Sequence, residues 1–133
     1  MKIEIVTPKS TIKEDGVDFV SMESIDGSLG ILPGHMPLFA ELKISALHYK
    51  KENKTEVIAV MGGVARVHKD TITIITDDAE RSVEIDVLRA HKEKADAEAY
   101  LSKKAEIVDM LKAEIQLRKA LVRLKVAELS KRI

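Results

Sequence analysis

The spacing of apolar and polar positions changes once along this chain, near residue 85. Before that point, short alternating runs are separated by turn residues. After it, glycine and proline are absent, and Ala, Leu, Lys, Glu and Arg dominate to residue 133. Alternation puts successive side chains on opposite faces of a strand. Residues 2–6 alternate, with Ile3 and Ile5 on one face, and Pro8-Lys9-Ser10 ends the run. Residues 12–24 hold Val17, Phe19, Val20 and Met22 around Asp15-Gly16, which predicts two short strands and a turn. Residues 26–37 contain Gly27, Gly30, Pro33, Gly34 and Pro37 and read as largely loop. Residues 43–50 read as a strand and 51–54 as a polar hairpin turn. Residues 55–61 alternate, with Val57, Ala59 and Met61 on one side. Gly62-Gly63 predicts a bulge or a close backbone approach. A hairpin over 64–67 and 71–76, turning at 68–70, completes the series. Short strands at this spacing predict an all-β sandwich or flattened barrel over residues 1–84.

Beyond the break the period is helical. Asp86 is a favourable N-cap, with Ile85 and Ala90 at the staple positions around it. The first helix, over 87–103, is rich in alanine (Ala90, Ala95, Ala97, Ala99), and a second runs over 107–130. Residues 102–106 contain no strong breaker, so the pattern allows a hairpin or one long rod. A joint that straightens easily suits a tail with two conformations. On the second helix Met110, Leu117, Leu121 and Leu124 share one side, flanked by Ile107, Leu111 and Val122. Lys112, Gln116, Lys119 and Arg123 share the opposite face. The expected fold class is therefore α+β: a sandwich over 1–84 and a mobile two-helix hairpin over 85–133.

Composition narrows the function. With 22 basic and 22 acidic side chains the formal net charge is zero, which argues against generic nucleic-acid binding. There is no cysteine, hence no disulfide framework and no thiolate chemistry. Aromatics are 3% of the chain, so the core must be aliphatic. A strand pattern begins at residue 2 without an apolar leader, and no apolar run approaches the roughly 20 residues of a membrane helix. Secretion and direct membrane insertion are not expected. A short alanine-rich hairpin buries little area, so the tail is expected to need the β module, a partner or a ligand to hold one conformation.

Enzyme signatures are missing. There is no phosphate-loop motif, and Gly27, Gly30 and Gly34 lack dinucleotide-fingerprint spacing. His35, His48, His68 and His91 are dispersed, with no metal-ligand spacing. No catalytic residue and no metal site is expected. Two strings stand out. The glycine-rich segment from Gly27 to Leu38 reads either as a crossing loop or as a docking loop on a rigid scaffold. Ile85-Asp86-Val87-Leu88-Arg89-Ala90 reads either as a staple, cap and surface arginine or as a nucleotide site. In the second reading Asp86 accepts from an adenine amino group or a ribose hydroxyl, while Arg89, Lys119 and Arg123 neutralise phosphates. The basic stripe also suits a solvated helix face or docking on an acidic protein surface.

Taken together, four strings in order resemble the epsilon subunit of F-type ATP synthase, over essentially the whole chain. They are Gly30-Ile31-Leu32-Pro33-Gly34-His35-Met36-Pro37-Leu38, Ala59-Val60-Met61-Gly62-Gly63-Val64-Ala65-Arg66-Val67, Ala79-Glu80-Arg81 with the Ile85–Ala90 string, and Ala120-Leu121-Val122-Arg123-Leu124-Lys125-Val126-Ala127-Glu128. The resemblance implies a β-sandwich seated on the rotor stalk against the gamma subunit and the c-ring, with Ser28, Gly30 and His35 in the docking loop. It implies a tail that folds beside the sandwich or extends into the alpha and beta subunits of the catalytic head. There Lys112, Lys119 and Arg123 form an inhibitory basic face. It further implies a peripheral protein on the cytoplasmic face of the bacterial plasma membrane, within an enzyme complex, requiring no cofactor. Regulatory MgATP would bind at Glu80, Ile85, Asp86, Arg89, Ala90, Lys119 and Arg123. Lys119 stands where tight binders have arginine, and Asp96 reverses the charge of another, so weak binding is implied. From other classes, a stand-alone ATP-sensing module and an adaptor with a helical arm also fit the sequence.

Overall fold

The N-terminal part is built from eight strands: β1 (Lys2–Val6), β2 (Thr11–Glu14), β3 (Phe19–Ser24), β4 (Gly27–Ile31), β5 (Leu38–Lys51), β6 (Lys54–His68), β7 (Thr71–Ile75) and β8 (Ala79–Arg81). A 3-10 turn (Ser82–Glu84) leads into α1 (Val87–Leu101) and α2 (Ile107–Arg132). The computed structural model describes residues 1–103 and 106–132, the last three of these by backbone only. The strand order is β2-β1-β7-β6-β5-β3-β4, with β8 added on β6. Only β1 and β7 pair in parallel; the other pairs are antiparallel.

The two long strands make the sandwich. The first half of β6 pairs with β8, through Ile58, Ala59 and Val60, and the second half with β7, from Val64 to His68. The change of partner falls at Gly62-Gly63, where both residues have positive φ. A Cβ on Gly63 would lie 2.0 Å from the Ile75 carbonyl oxygen, so the strand can switch layers here only as glycine. The β5–β6 ladder runs through in continuous register, Leu42 opposite Gly63 and Ile44 opposite Met61. Of the two expectations for this pair, the close approach is realised and a bulge against β5 is not. The hairpins at Glu52-Asn53 and Lys69-Asp70 use two left-handed residues each, which matches the twist of the flanking strands.

Ile3, Ile5, Val20, Ile31, Ile58, Ile72 and Ile74 are fully buried between the layers. A second, smaller apolar cluster lies outside the sandwich, where Ala46, Val57, Ala59 and Met61 meet Ile85, Val126 and Ala127. Residues 57–61 are consequently buried on both faces, which is why their sequence alternates only weakly.

Two expectations need correction. Residues 26–37 are not largely loop: Gly27–Ile31 forms the edge strand β4, antiparallel to β3. An edge strand tolerates glycine, and Gly30 leaves room for the Phe19 ring, which its Cβ would approach to 3.1 Å. The packed side of α2 is also displaced from the predicted apolar stripe. Ala113, Ala120 and Ala127 are buried, with Met110, Leu117 and Leu124 half-buried. Ile107, Leu111 and Leu121 face solvent. The helices form a hairpin, and alanines at seven-residue spacing on α2 let its axis approach the alanine-rich α1. A seam of small side chains does not stand out in a hydrophobicity pattern. The chain link at residues 104 and 105 lies outside the described residues.

Candidate functional site at the sandwich–tail junction

The junction begins where β8 is pinned. Arg81 donates to Glu14 (2.8 Å) and to the Tyr49 hydroxyl (3.1 Å), and Lys51 reaches Glu14 at 3.2 Å. The Arg81 hydrogen bond holds the Glu14 carboxyl below the usual carboxylate range. This network ties the end of β8 to β2 and β5 and so fixes Glu80, one residue earlier.

The chain then enters α1. Asp86 adopts an extended backbone, and its carboxylate accepts from the Arg89 amide at 3.0 Å. That is the expected N-cap. Ile85 is buried in the cluster beneath α2 and Ala90 is 1% exposed, so both act in packing. The Arg89 side chain is largely exposed and donates to Glu93 one turn on, at 2.8 Å.

Arg123 of α2 points into the junction. Its Nε donates to Glu80 at 2.5 Å, Nη1 to Glu93 at 3.4 Å and Nη2 to Asp78 at 3.3 Å. One guanidinium thus meets carboxylates from the β7–β8 connection, from β8 and from α1. Around it lies a cavity of about 330 Å³, bounded by Lys9, Ser10, Asp78, Ala79, Glu80, Glu84, Asp86, Arg89, Ala90, Glu93 and Arg123. Five of these side chains are acidic and three basic, so the cavity is not a ready anion site while the hairpin is closed.

The structure gathers Glu80, Asp86, Arg89, Ala90 and Arg123 of the sequence-predicted set around this cavity. Ile85 and Lys119 are not among its walls. Lys119 is half-buried on α2. Asp96 and Lys112 belong to a second cleft, about 340 Å³, between the helices, shared with Glu93, Tyr100, Asp109 and Gln116. Sequence reasoning missed Lys9, Asp78, Glu84 and Glu93. Glu93 had a signal, standing four residues after Arg89 on a helix. Lys9 had none, since only the fold brings the β1–β2 turn here.

At another part of the sandwich, Ser28 and Gly30 lie in β4, not in a loop, and the Ser28 hydroxyl bonds Glu23 at 2.8 Å. His35 is in the remaining loop, its Nδ1 2.7 Å from the Met36 carbonyl oxygen. Asp70 accepts from the Gly34 amide and braces that loop. Leu32, Met36 and Phe39 are each more than half exposed. Among the described residues no helix is long and apolar enough to cross a membrane.

Residues 1–82 match the family model of the ATP synthase delta/epsilon chain β-sandwich domain, and residues 84–128 that of its long α-helix domain. The ATP synthase epsilon chain of Bacillus licheniformis is 43% identical over 127 residues, covering 96% of this chain and 97% of that one. The epsilon chain of Nitratidesulfovibrio vulgaris is 38% identical, covering 95% and 94%. The fold is also similar to a chain in the cryo-EM structure of the Euglena gracilis mitochondrial ATP synthase (TM-score 0.79, 23% identity, 94% of this chain and 79% of that one). A chain of the Tetrahymena thermophila mitochondrial enzyme's central stalk and c-ring gives a TM-score of 0.63 at 16% identity, covering 96% of each. With one family model on the sandwich, a second on the tail, and relatives matched nearly end to end, the chain belongs to the ATP synthase epsilon-chain family.

Proposed function

We propose that this chain is a rotor-stalk component whose sandwich docks and whose tail brakes ATP hydrolysis, with no catalytic residue of its own. The observation that carries the reading is the division of cores. The sandwich has an apolar core of its own, whereas the tail rests on it through a smaller patch around Ile85, Val126 and Ala127 and the Arg123 ion pairs to Asp78 and Glu80. A unit attached so lightly can leave without unfolding its support. The exposed Leu32, Met36 and Phe39, near His35, suit docking on the gamma subunit and the c-ring. The extended tail would then offer Lys112, Lys119 and Arg123 to acidic segments of the alpha and beta subunits. The working place of such a part is the cytoplasmic face of the bacterial plasma membrane, held there through its partners.

The test is a deletion of everything after Ile85. The truncated chain is expected to co-purify with gamma, and the assembled enzyme to hydrolyse ATP faster. Failure to co-purify would remove the sandwich as the docking module, and unchanged hydrolysis would remove the brake.

Regulatory MgATP fits the junction only in part. In this reading Asp86 accepts from a base or ribose and Arg89 and Arg123 meet phosphates, and these residues line the junction cavity together with Glu80. Yet Arg123 is already spent on three carboxylates, and Asp96 adds negative charge next door. Weak binding is therefore expected. Calorimetric titration with MgATP measures it. Arginine at both positions, Asp96→Arg with Lys119→Arg, should strengthen it; no gain would show that these two positions do not limit affinity.

A further inference from the structure

Among the described residues, the apolar patches that close the tail are small. The α1–α2 seam buries Ala90, Ala97, Ala113 and Ala120, side chains with little apolar surface to remove from water. On the sheet, α2 rests over two alanines, a valine and a methionine, and itself contributes Val126 and Ala127, with Val122 and Leu129 half-buried beside them. Between these two patches stands Arg123. Its side chain is 18% exposed, against 22% for Glu80 and 27% for Glu93. The acceptors are fixed beforehand. Glu80 lies in β8, which is paired to β6, and Asp78 is tied by its own carboxylate to the Ala79 amide at 3.0 Å and by its carbonyl to the Met61 amide at 3.0 Å. Glu93 is held from its other side by Arg89.

We propose that Arg123 is a ligand-independent latch: two of its nitrogens join α2 to β8 and to the connection before it, the third joins α2 to α1, and breaking these pairs releases α2 from the sandwich and from α1. Each donor nitrogen has its own carboxylate, in the forked geometry that guanidinium favours and an ammonium cannot copy. Moving α2 off the sandwich and off α1 takes Arg123 away from all three acids. Removing the arginine leaves three carboxylates facing one another in a half-buried site, which disfavours closure further. The acids also set a condition on any anion that would use this site, because it must take Arg123 from them. The latch holds or fails independently of whether the tail brakes the enzyme.

The chain has no cysteine, so Lys50→Cys and Glu114→Cys place two spin labels at exposed positions, one on the sandwich and one on α2. Distances are measured on the full chain without nucleotide. The unaltered latch should give one dominant short distance. Arg123→Gln should raise the long-distance fraction relative to the short one by about tenfold or more. Arg123→Lys should fall between, since one ammonium cannot serve three acids. Glu93→Gln should raise the fraction less than Arg123→Gln, because it removes one of three pairs and leaves the sandwich untouched. A distance distribution unchanged in both Arg123→Gln and Glu93→Gln would overturn the proposal. So would a long distance dominating in the unaltered chain.

Discussion

Replacing Val126 by alanine tests whether the tail is a separate cooperative unit. Val126 is 0% exposed and lies in the cluster with Ala46, Val57, Ala59 and Met61. The change removes two methyl groups, worth about 0.8 kcal/mol each in transfer. The surrounding strand atoms belong to the sandwich and cannot collapse into the gap, so the cavity adds to the loss. The total is about 2 kcal/mol, felt only when α2 sits on the sheet. At 1.4 kcal/mol per tenfold, the undocked population should rise about 30-fold. Native-state amide exchange separates this from general destabilisation. Amides in the part of α2 around Val126 should exchange about 30-fold faster, while those of Ile3, Ile5, Ile72 and Ile74, in the paired strands β1 and β7, keep their rates. Equal acceleration in both regions would refute the reasoning, because the tail would then open only with the sandwich.

Three further outcomes follow from particular residues. Asp86→Ala should cost about 1 kcal/mol, seen as roughly fivefold faster exchange in the first turn of α1, since the Arg89 amide loses its acceptor. Gly63→Ala puts a methyl group onto the Ile75 carbonyl at positive φ, and its melting temperature should fall by at least about 10 °C; a smaller fall would mean that the strand crossing is soft. His48 shares the helix-facing side of β5 with Ala46 and stands opposite Val57. Burial holds its imidazole below the ordinary value of 6.5, Lys125 of α2 lowers it further, and Glu23 of β3 opposes them. A lowered folded-state value means that docking stability is fully present above 6.5 and is lost as pH falls from there toward the folded value. Tail docking, followed by amide exchange, should weaken over that window, and His48→Gln should flatten the dependence.

The sequence by itself determined the two-part plan, because strand and helix periods differ and the break at residue 85 is abrupt. It also determined the cap at Asp86 and the turns around Glu52-Asn53 and Lys69-Asp70, which depend on local backbone chemistry, and it marked Gly62-Gly63 as special while leaving a bulge or a close approach open. It misassigned β4, because glycines on an edge strand carry the same signal as a loop. It centred the packed side of α2 on the leucines rather than on the alanines beside them, because an alanine seam is weakly hydrophobic and only the neighbouring helix decides which side is buried. Tertiary structure alone decided the partners of Arg123. Asp78, Glu80, Glu93 and Arg123 are separated by up to 45 residues, and nothing local links them. They meet because β6 changes layer at Gly62-Gly63, β8 pairs along its first half, and α2 folds back over that edge. A charge on a helix reads as solvated until the fold supplies the acids that surround it.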